Sequence, residues 1–340
     1  MNDTKRFRQA DIAARAGVSV STVSRVLANE PGISEDVRRQ ILKVANDLGY
    51  PTRPGSKTGP ATLALIASNS VTGGLSVFYE GIVEGLRSEA AEQGMPFDIR
   101  LVSEAKATPE TVREQMDSVG AQGLFLVGID PGDALCEWLE ESHTPVILVN
   151  GTDPELRFDG VSPSNFFGAY AATRRLLVGG HRRILHLTGS HRQTIRERIR
   201  GFEAAVGSVE GGEGRVVHLP FEVNSSVEAH AATLAALSAD ADFSAAFCMN
   251  DFVAVGVLEA VTEIGLRVPK DFAIVGFDDL PCALMANPRL ATMRVDRVAL
   301  GREAIGMMHF RFHHREAPAR HVSHAVIPVS GGTLDERQRP

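Results

Sequence analysis

Six side chains crowded into one short stretch carry the first chemistry this chain offers. Ser19, Val20, Ser21, Thr22, Ser24 and Arg25 combine hydroxyls, a branched methyl surface and one guanidinium. An arginine can fork onto the edge of guanine, and a valine can lie against a thymine methyl. Hydroxyls hold phosphate oxygens, which position a protein on nucleic acid without specifying a sequence. A second set lies far downstream, just behind apolar runs: Asn69, Ser76, Phe78 and Tyr79, then Arg192, Thr194 and Arg198, then Phe221, Asn250 and Asp278. Amide, guanidinium and carboxylate beside aromatic plates suit a polar, ring-shaped small molecule, gripped at its edge and covered on its face. Asp251 has a plainer reading, as the cap of the helix that follows it.

Catalytic signatures are missing from the sequence. No G-x-G-x-x-G follows a strand, and there is no G-x-x-x-x-G-K-[ST], G-x-S-x-G or H-E-x-x-H. His309, His313 and His314 are spaced along one helical stretch, but no carboxylate or thiol joins them, so a solvated helix end is expected rather than a metal site. No enzyme activity, metal or cofactor is expected.

The elements that must position the first set are helical. Gln9–Ala16 has Ala10, Ile12, Ala13 and Ala16 at helical spacing, and Gly17 follows where a left-handed C-cap belongs. Ser19 can cap a second helix, residues 20–28, whose inner side is Val23, Val26 and Leu27. Asn29 to Gly32 breaks it, and Ser34 can cap a third helix built on Val37, Ile41, Val44, Ala45 and Leu48. Two short helices around a tight turn, braced by a third, make a helix-turn-helix, whose second helix enters the major groove. Charge agrees with this. Residues 1–59 hold ten basic against six acidic side chains, a surplus of four, while the whole chain carries −7, which leaves −11 on the remainder. A basic head on an acidic body suits a protein that docks one end on an anionic polymer.

The second set needs strands. From Thr62 onward, β-rich apolar runs alternate with helical patterns. Strands are expected at 63–67, 97–102, 123–127 and 146–149, and in a second cycle at 184–187, 216–219, 245–249 and 272–277, with a helix over 77–92. Alternation of this kind makes a parallel sheet covered on both faces, and two cycles make two lobes. Ligands bind such sheets at the carboxyl ends of the strands, where the second set lies. Between head and body, the Pro- and Gly-rich segment 51–60 cannot be a regular helix; Arg53 and Lys57 within it could still hold phosphates.

At 340 residues the chain can bury a large core without staples. Cys136, Cys248 and Cys282 form no C-x-x-C pair, as expected of thiols in a reducing cytosol. No apolar stretch follows the basic N-terminus and none reaches membrane-spanning length, so neither a secretory signal nor a membrane anchor is expected.

The run from Asp11 to Leu27, DIAARAGVSVSTVSRVL, resembles the signature of the LacI/GalR family of repressors at seventeen consecutive positions. The body resembles the same family from about Thr62 to Thr333, through Gly179–Ile184, Arg198–Phe202, Asn250–Asp251, Val268–Pro269 and Ile274–Asp279. The resemblance implies an α/β fold: a two-lobed, periplasmic-binding-protein-like body of two parallel-sheet, Rossmann-like subdomains, with an all-α N-terminal helix-turn-helix domain. It places the head at 1–50, a linker at 51–61, one lobe at 62–160 plus 292–322, and the other at 161–291 plus 323–334. Val20, Ser21 and Arg25 fall where the family reads its operator. Arg198, Phe221, Asn250 and Asp278 fall on effector contacts, and Phe78, Tyr79, Arg192 and Thr194 fall where purine-binding members hold their base. In the segment Val161-Ser162-Pro163-Ser164-Asn165, Pro163 stands where the resemblance puts the family's ligand-contacting aspartate. Proline in place of the aspartate counts against a purine and leaves a sugar or sugar derivative favoured. No leucine lies between Leu48 and Leu63, so the hinge helix that wedges the minor groove in the family is expected to be lost or remodelled. The expected protein is a cytoplasmic homodimer that binds double-stranded operator DNA under effector control, without the terminal heptads of a tetramer. A solute-binding module without DNA function is the alternative.

Overall fold

The computed structural model describes residues 8–27, 32–48, 60–68, 76–189, 192–219 and 226–335. Of the expected site residues, Arg53, Asn69 and Phe221 lie outside these, as does the linker segment 51–59 with its expected loss of helix. The chain falls into two compact units, Met1–Ala61 with Ala90–Pro96, and Thr62–Glu89 with Phe97–Pro340.

The first unit holds α1 (Gln9–Ala16), α2 (Val20–Leu27) and α3 (Glu35–Asp47). Gly17 caps α1 with φ +67°, a left-handed backbone that favours glycine, and the N–H groups of Gly17 and Val18 both close onto Ala13 O. The three helices bury Ile12, Ala13 and Ala16 against Val23 and Val26 and against Ile41, Ala45 and Leu48. Two side chains of α3 pin the other helices. Gln40 donates to Ala16 O at 3.0 Å, satisfying an end of α1, and Arg38 donates to Val26 O at 3.5 Å near the end of α2.

The second unit is built on two sheets. In chain order its elements are β1 (Thr62–Ala67), α4 (Val77–Glu92), β2 (Phe97–Val102), α5 (Pro109–Val119), β3 (Gly123–Val127), α6 (Asp133–Glu141), β4 (Val146–Val149) and β5 (Asp159–Pro163). Then come α7 (Asn165–Val178), β6 (Arg183–Thr188), α8 (Gln193–Gly207), β7 (Glu213–His218), α9 (Ser226–Ala239), β8 (Ala245–Cys248), α10 (Asp251–Glu263) and β9 (Ala273–Val275). Last are α11 (Pro281–Met285), β10 (Thr292–Arg294), α12 (Arg297–His313), β11 (His321–His324) and β12 (Ile327–Val329).

A six-stranded parallel sheet runs β11-β5-β4-β3-β1-β2, and a four-stranded parallel sheet runs β7-β6-β8-β9. Each has its own core, one around Leu63, Leu65, Leu124, Leu126 and Leu148, the other around Leu185, Leu187, Phe272 and Ile274. Every strand expected from the apolar runs is present, with β7 beginning and ending slightly earlier and β9 shorter than expected. The chain passes between the lobes three times: after β5, between β10 and α12, and between β11 and β12, with β10 and β12 paired antiparallel. The expected lobe limits at 160 and 322 fall inside β5 and β11, which pair with each other from Gly160 to Pro163.

Helices α7 and α8 pack closely because Gly201 lies against the backbone of α7; a Cβ there would come within 2.2 Å of Phe166 O. This contact sets the depth at which α8 delivers its arginines.

Candidate functional site

In the head, Ser19 to Thr22, Ser24 and Arg25 gather at the start and outer side of α2. Ser19 Oγ accepts the Thr22 N–H at 3.1 Å and lies 2.8 and 2.7 Å from the hydroxyls of Ser21 and Thr22. Its oxygen is thus the N-cap of α2, and the hydroxyls form one polar cluster at the start of that helix. Val20, Ser21, Ser24 and Arg25 are exposed, whereas Val23 and Val26 are fully buried on the opposite side. Val20 is 48% exposed. An outward-facing valine on an otherwise polar face has no role in the core.

In the body, two arginines of α8 organise the carboxyl ends of the strands. Arg198 is 4% exposed. It donates to Asn165 Oδ1 at 2.9 Å, to Met249 O and to Asp278 Oδ1 at 3.4 Å, and its guanidinium lies 3.8 Å from the centre of the Phe277 ring. Burial pushes the Asp278 carboxyl upward, while Arg198 and then Arg297 draw it down. Asp278 and Asp279 both have left-handed backbone, φ 102° and 55°, which non-glycine residues adopt rarely and chiefly where a site demands it. Asn250 Oδ1 accepts the Val253 N–H at 2.9 Å.

That last bond corrects the reading of Asp251. The cap of α10 is Asn250, one residue earlier, because its extended backbone (φ −152°, ψ 175°) lets the side chain reach Val253. Asp251 is instead fully buried and turned inward, accepting the Leu280 N–H at 2.7 Å and the Thr292 hydroxyl at 2.5 Å. Burial, reinforced by Asp278, pushes its carboxyl up to about 8. Asp251 therefore braces the segment that carries Asp278 and leaves the outer surface of the site to others.

The second cluster joins the two lobes. Arg192, the N-cap residue of α8, donates to Tyr79 Oη at 2.9 Å, to Asn150 O and to Asp130 Oδ1 at 3.4 Å. Burial works against its charge, yet Tyr79, Asp130 and Glu104 leave the guanidinium pKa above its usual value. Tyr79 fits here because Gly128 has no side chain; a Cβ at that position would sit 2.2 Å from Tyr79 Oη. Phe78 meets Tyr79 edge to face with ring centres 5.3 Å apart. Thr194 is buried on the first turn of α8, and Ser76 precedes α4, its carbonyl accepting the Tyr79 N–H at 2.9 Å. The structure thus brings Tyr79 to Arg192 and Arg198 to Asp278, and Tyr79 is also among the groups acting on the Arg198 charge.

Asp130, Asn150 and Asn165 were not singled out in the sequence. Asp130 and Asn150 follow the ends of β3 and β4, so the rule that found Asp278 also reaches them. Asn150 has φ 51° and is 6% exposed, with Oδ1 lacking a hydrogen-bond partner among the described residues. His313 Nδ1 lies 2.8 Å from the His309 carbonyl. Among the described residues no group of three or more His, Cys, Asp or Glu is placed to hold a metal ion, and no helix is long and apolar enough to cross a membrane.

Comparison with known proteins agrees with this arrangement. Residues 10–52 match the family described as bacterial regulatory proteins, lacI family, and residues 173–333 match the periplasmic binding protein-like domain. The chain is 26% identical over 323 residues to the HTH-type transcriptional repressor PurR of Haemophilus influenzae, covering 93% of this chain and 94% of that one. It superposes with a TM-score of 0.71 on the complex of the transcriptional regulator CelR with cellobiose, at 26% identity over 96% of this chain and all of that chain. A lac repressor dimer bound to operator and the anti-inducer ONPF shares the fold, with a TM-score of 0.71 at 21% identity, over 97% and 99% of the two chains.

Proposed function

We propose a mechanism from the premise that this chain belongs to the LacI family of bacterial regulatory proteins and is a DNA-binding transcriptional regulator with an effector-binding body. It acts as a repressor whose operator affinity is set by a sugar or sugar derivative held between the lobes. Val20, Ser21 and Arg25 read base edges, and Ser19, Thr22, Ser24 and Arg53 position the head on phosphates. A dimer sets two heads on two half-sites. The effector biases the closure of the lobes, closure alters the spacing of the linkers, and operator affinity follows. Couplings of this kind are typically about 1–3 kcal/mol, and they are reciprocal.

The observation that carries the effector reading is the Arg198–Asp278 pair. A guanidinium beside a carboxylate at the ends of the strands can donate to and accept from adjacent hydroxyls of a sugar. Asn250 and Thr194 lie on the same lobe, and Ser76, Phe78 and Tyr79 come from the other. Cellobiose in the CelR complex favours the same class. A purine or nucleoside is the second reading, favoured by the similarity to PurR. Against it stands Pro163, where the resemblance puts a ligand-contacting aspartate.

A thermal-shift series with cellobiose, other sugars, polyols, guanine and hypoxanthine tests this. A ligand present at about a hundred times its Kd stabilises the folded form by roughly 2.7 kcal/mol, a shift of several degrees. The expected result is a shift with one sugar, absent in Arg198→Leu. A shift only with purines replaces the sugar reading with the second one, and a shift with neither defeats both.

A further inference from the structure

Three hydrogen bonds of the Arg192 guanidinium cross from one lobe to the other. Arg192 stands at the N-terminus of α8, on the lobe of the four-stranded sheet, and donates to Tyr79 Oη, Asp130 Oδ1 and Asn150 O, which belong to the lobe of the six-stranded sheet. The same carboxylate bonds back to the helix itself, since Asp130 Oδ2 accepts the Gln193 N–H at 3.2 Å. A carboxylate is favoured at a helix N-terminus by the unpaired N–H groups and the helix dipole. Asp130 is held in turn on its own lobe by the Thr152 N–H at 2.9 Å, and its N–H donates to Glu104 Oε1 at 3.2 Å. Side-chain exposures of 14% for Arg192 and 21% for Asp130 shelter the pair from full solvent screening.

We propose that Arg192 and Asp130 form an interlobe latch, a protein-to-protein contact that biases the body toward closure. The latch rests on reading the cleft as the effector site, and it adds a regulatory element to that site. Arg192 is then a positioning residue for closure: an effector shifts operator affinity by reinforcing or loosening the latch. Asp130 acts on both partners at once, through the guanidinium and through the first N–H of α8. Its amide analogue keeps the shape but loses the charge-assisted bonds, which are about twice as strong as neutral ones.

Spin labels on opposite lobes read the latch directly. Glu114 on α5 and Glu203 on α8 are exposed, and Cys136 and Cys248 are buried, so Glu114→Cys with Glu203→Cys in a Cys282→Ser background gives one reporting pair on the full chain. With no small molecule added, Asp130→Asn and Arg192→Gln should each raise the ratio of long to short label separations roughly tenfold, the size expected for losing one charged hydrogen bond. The double variant should go no further than either single one, because the two residues act on the same contact. Arg192→Lys should lie between, having charge but no fork. Unchanged separations in both single variants, or effects that simply add, overturn the latch. Asp130→Asn adds no bulk, so it keeps the test open should Arg192→Gln fail to fold. The two ideas separate cleanly. If the labels respond while no sugar or purine shifts the melting temperature, the latch stands and the effector reading falls. If a sugar binds and the labels do not respond, the latch falls alone.

Discussion

At the scale of single residues, the buried polar groups do different work according to what faces them. Arg198 and Asp278 face each other, so each offsets part of the burial that disfavours the other's charge. His186 does not have such a partner. It is fully buried in β6, stacked on Phe247 at 4.7 Å and close to Phe202, with Nδ1 3.0 Å from Phe247 O and Nε2 without a partner among the described residues. A carbonyl can only accept, so the ring carries its proton on Nδ1 and stays neutral. Burial lowers its pKa to about 4 from the ordinary 6.5. Above 6.5 the ring is neutral folded or unfolded and costs nothing. Between 6.5 and about 4 the unfolded chain binds the proton and the fold does not, so stability falls as pH falls through that window. The loss is on the order of 3 kcal/mol at its limit. His186→Phe should leave stability near neutral pH within about 1.5 kcal/mol and remove this part of the acid slope, measured by urea unfolding at pH 7.5, 6, 5 and 4. His181, also lowered by burial, titrates in the same direction, so the comparison with the variant, and not the slope itself, isolates His186. An equal slope in wild type and variant would show that His186 does not carry it.

At the scale of elements, α8 decides the site, and Gly201 decides α8. A methyl group there would meet Phe166 O at 2.2 Å and the α7 side chain of Ala169 at 3.1 Å, and backbone cannot yield as a flexible side chain can. Gly201→Ala should cost 1–3 kcal/mol through overpacking and push α8 outward. Since Arg192 and Arg198 ride on α8, effector binding should weaken more than the loss of stability alone explains. Calorimetry at a temperature where the variant stays folded checks this; full affinity for the effector would show that the α7–α8 contact is only structural. The sequence made much of this scale legible, and the failures are physical. The long apolar strands β1, β3, β4, β6 and β8 announce themselves because both faces are covered. β5, β11 and β12 do not: β5 opens on Asp159 and ends on Pro163, β11 is flanked and filled by histidines, and β12 is centred on Pro328. Their pairing is set by partners distant in the chain, which no local pattern encodes. The site divides in the same way. Asp278 follows β9 and Arg198 lies one turn beyond Thr194 on the helix after β6, so both are readable there; Asp130 follows β3 in the same way, but its bonds to α8 arise only when the second lobe brings that helix to it.

At the scale of the whole molecule, the proposed mechanism sets two heads on one operator, and the body is the part that can bring in a second copy. Leu284 and Met285 on α11 are 64% and 82% exposed, and the next residue, Ala286, lines a groove with Val255, Leu258 and the polar Glu259, Thr262, Glu263 and Asn287. Large apolar side chains so open to solvent suit a contact surface, and a second copy of this chain is the partner the paired heads require. Met285→Asp places a charge in that contact. The variant should sediment as a monomer and bind its promoter fragment about a hundredfold or more weakly, since each head then engages a half-site alone and the gain in effective concentration is lost. Arg25→Ala fails differently. It should remain a dimer and lose about 1–3 kcal/mol for each half-site whose guanine it no longer reads, while binding to unrelated DNA changes little. Sedimentation and gel shift at one salt concentration separate the two. A Met285→Asp protein that stays dimeric with full operator affinity removes α11 from the interface. An Arg25→Ala protein with unchanged affinity for the native fragment removes α2 from the groove, and the regulation argued from the cleft would then have no reader to control.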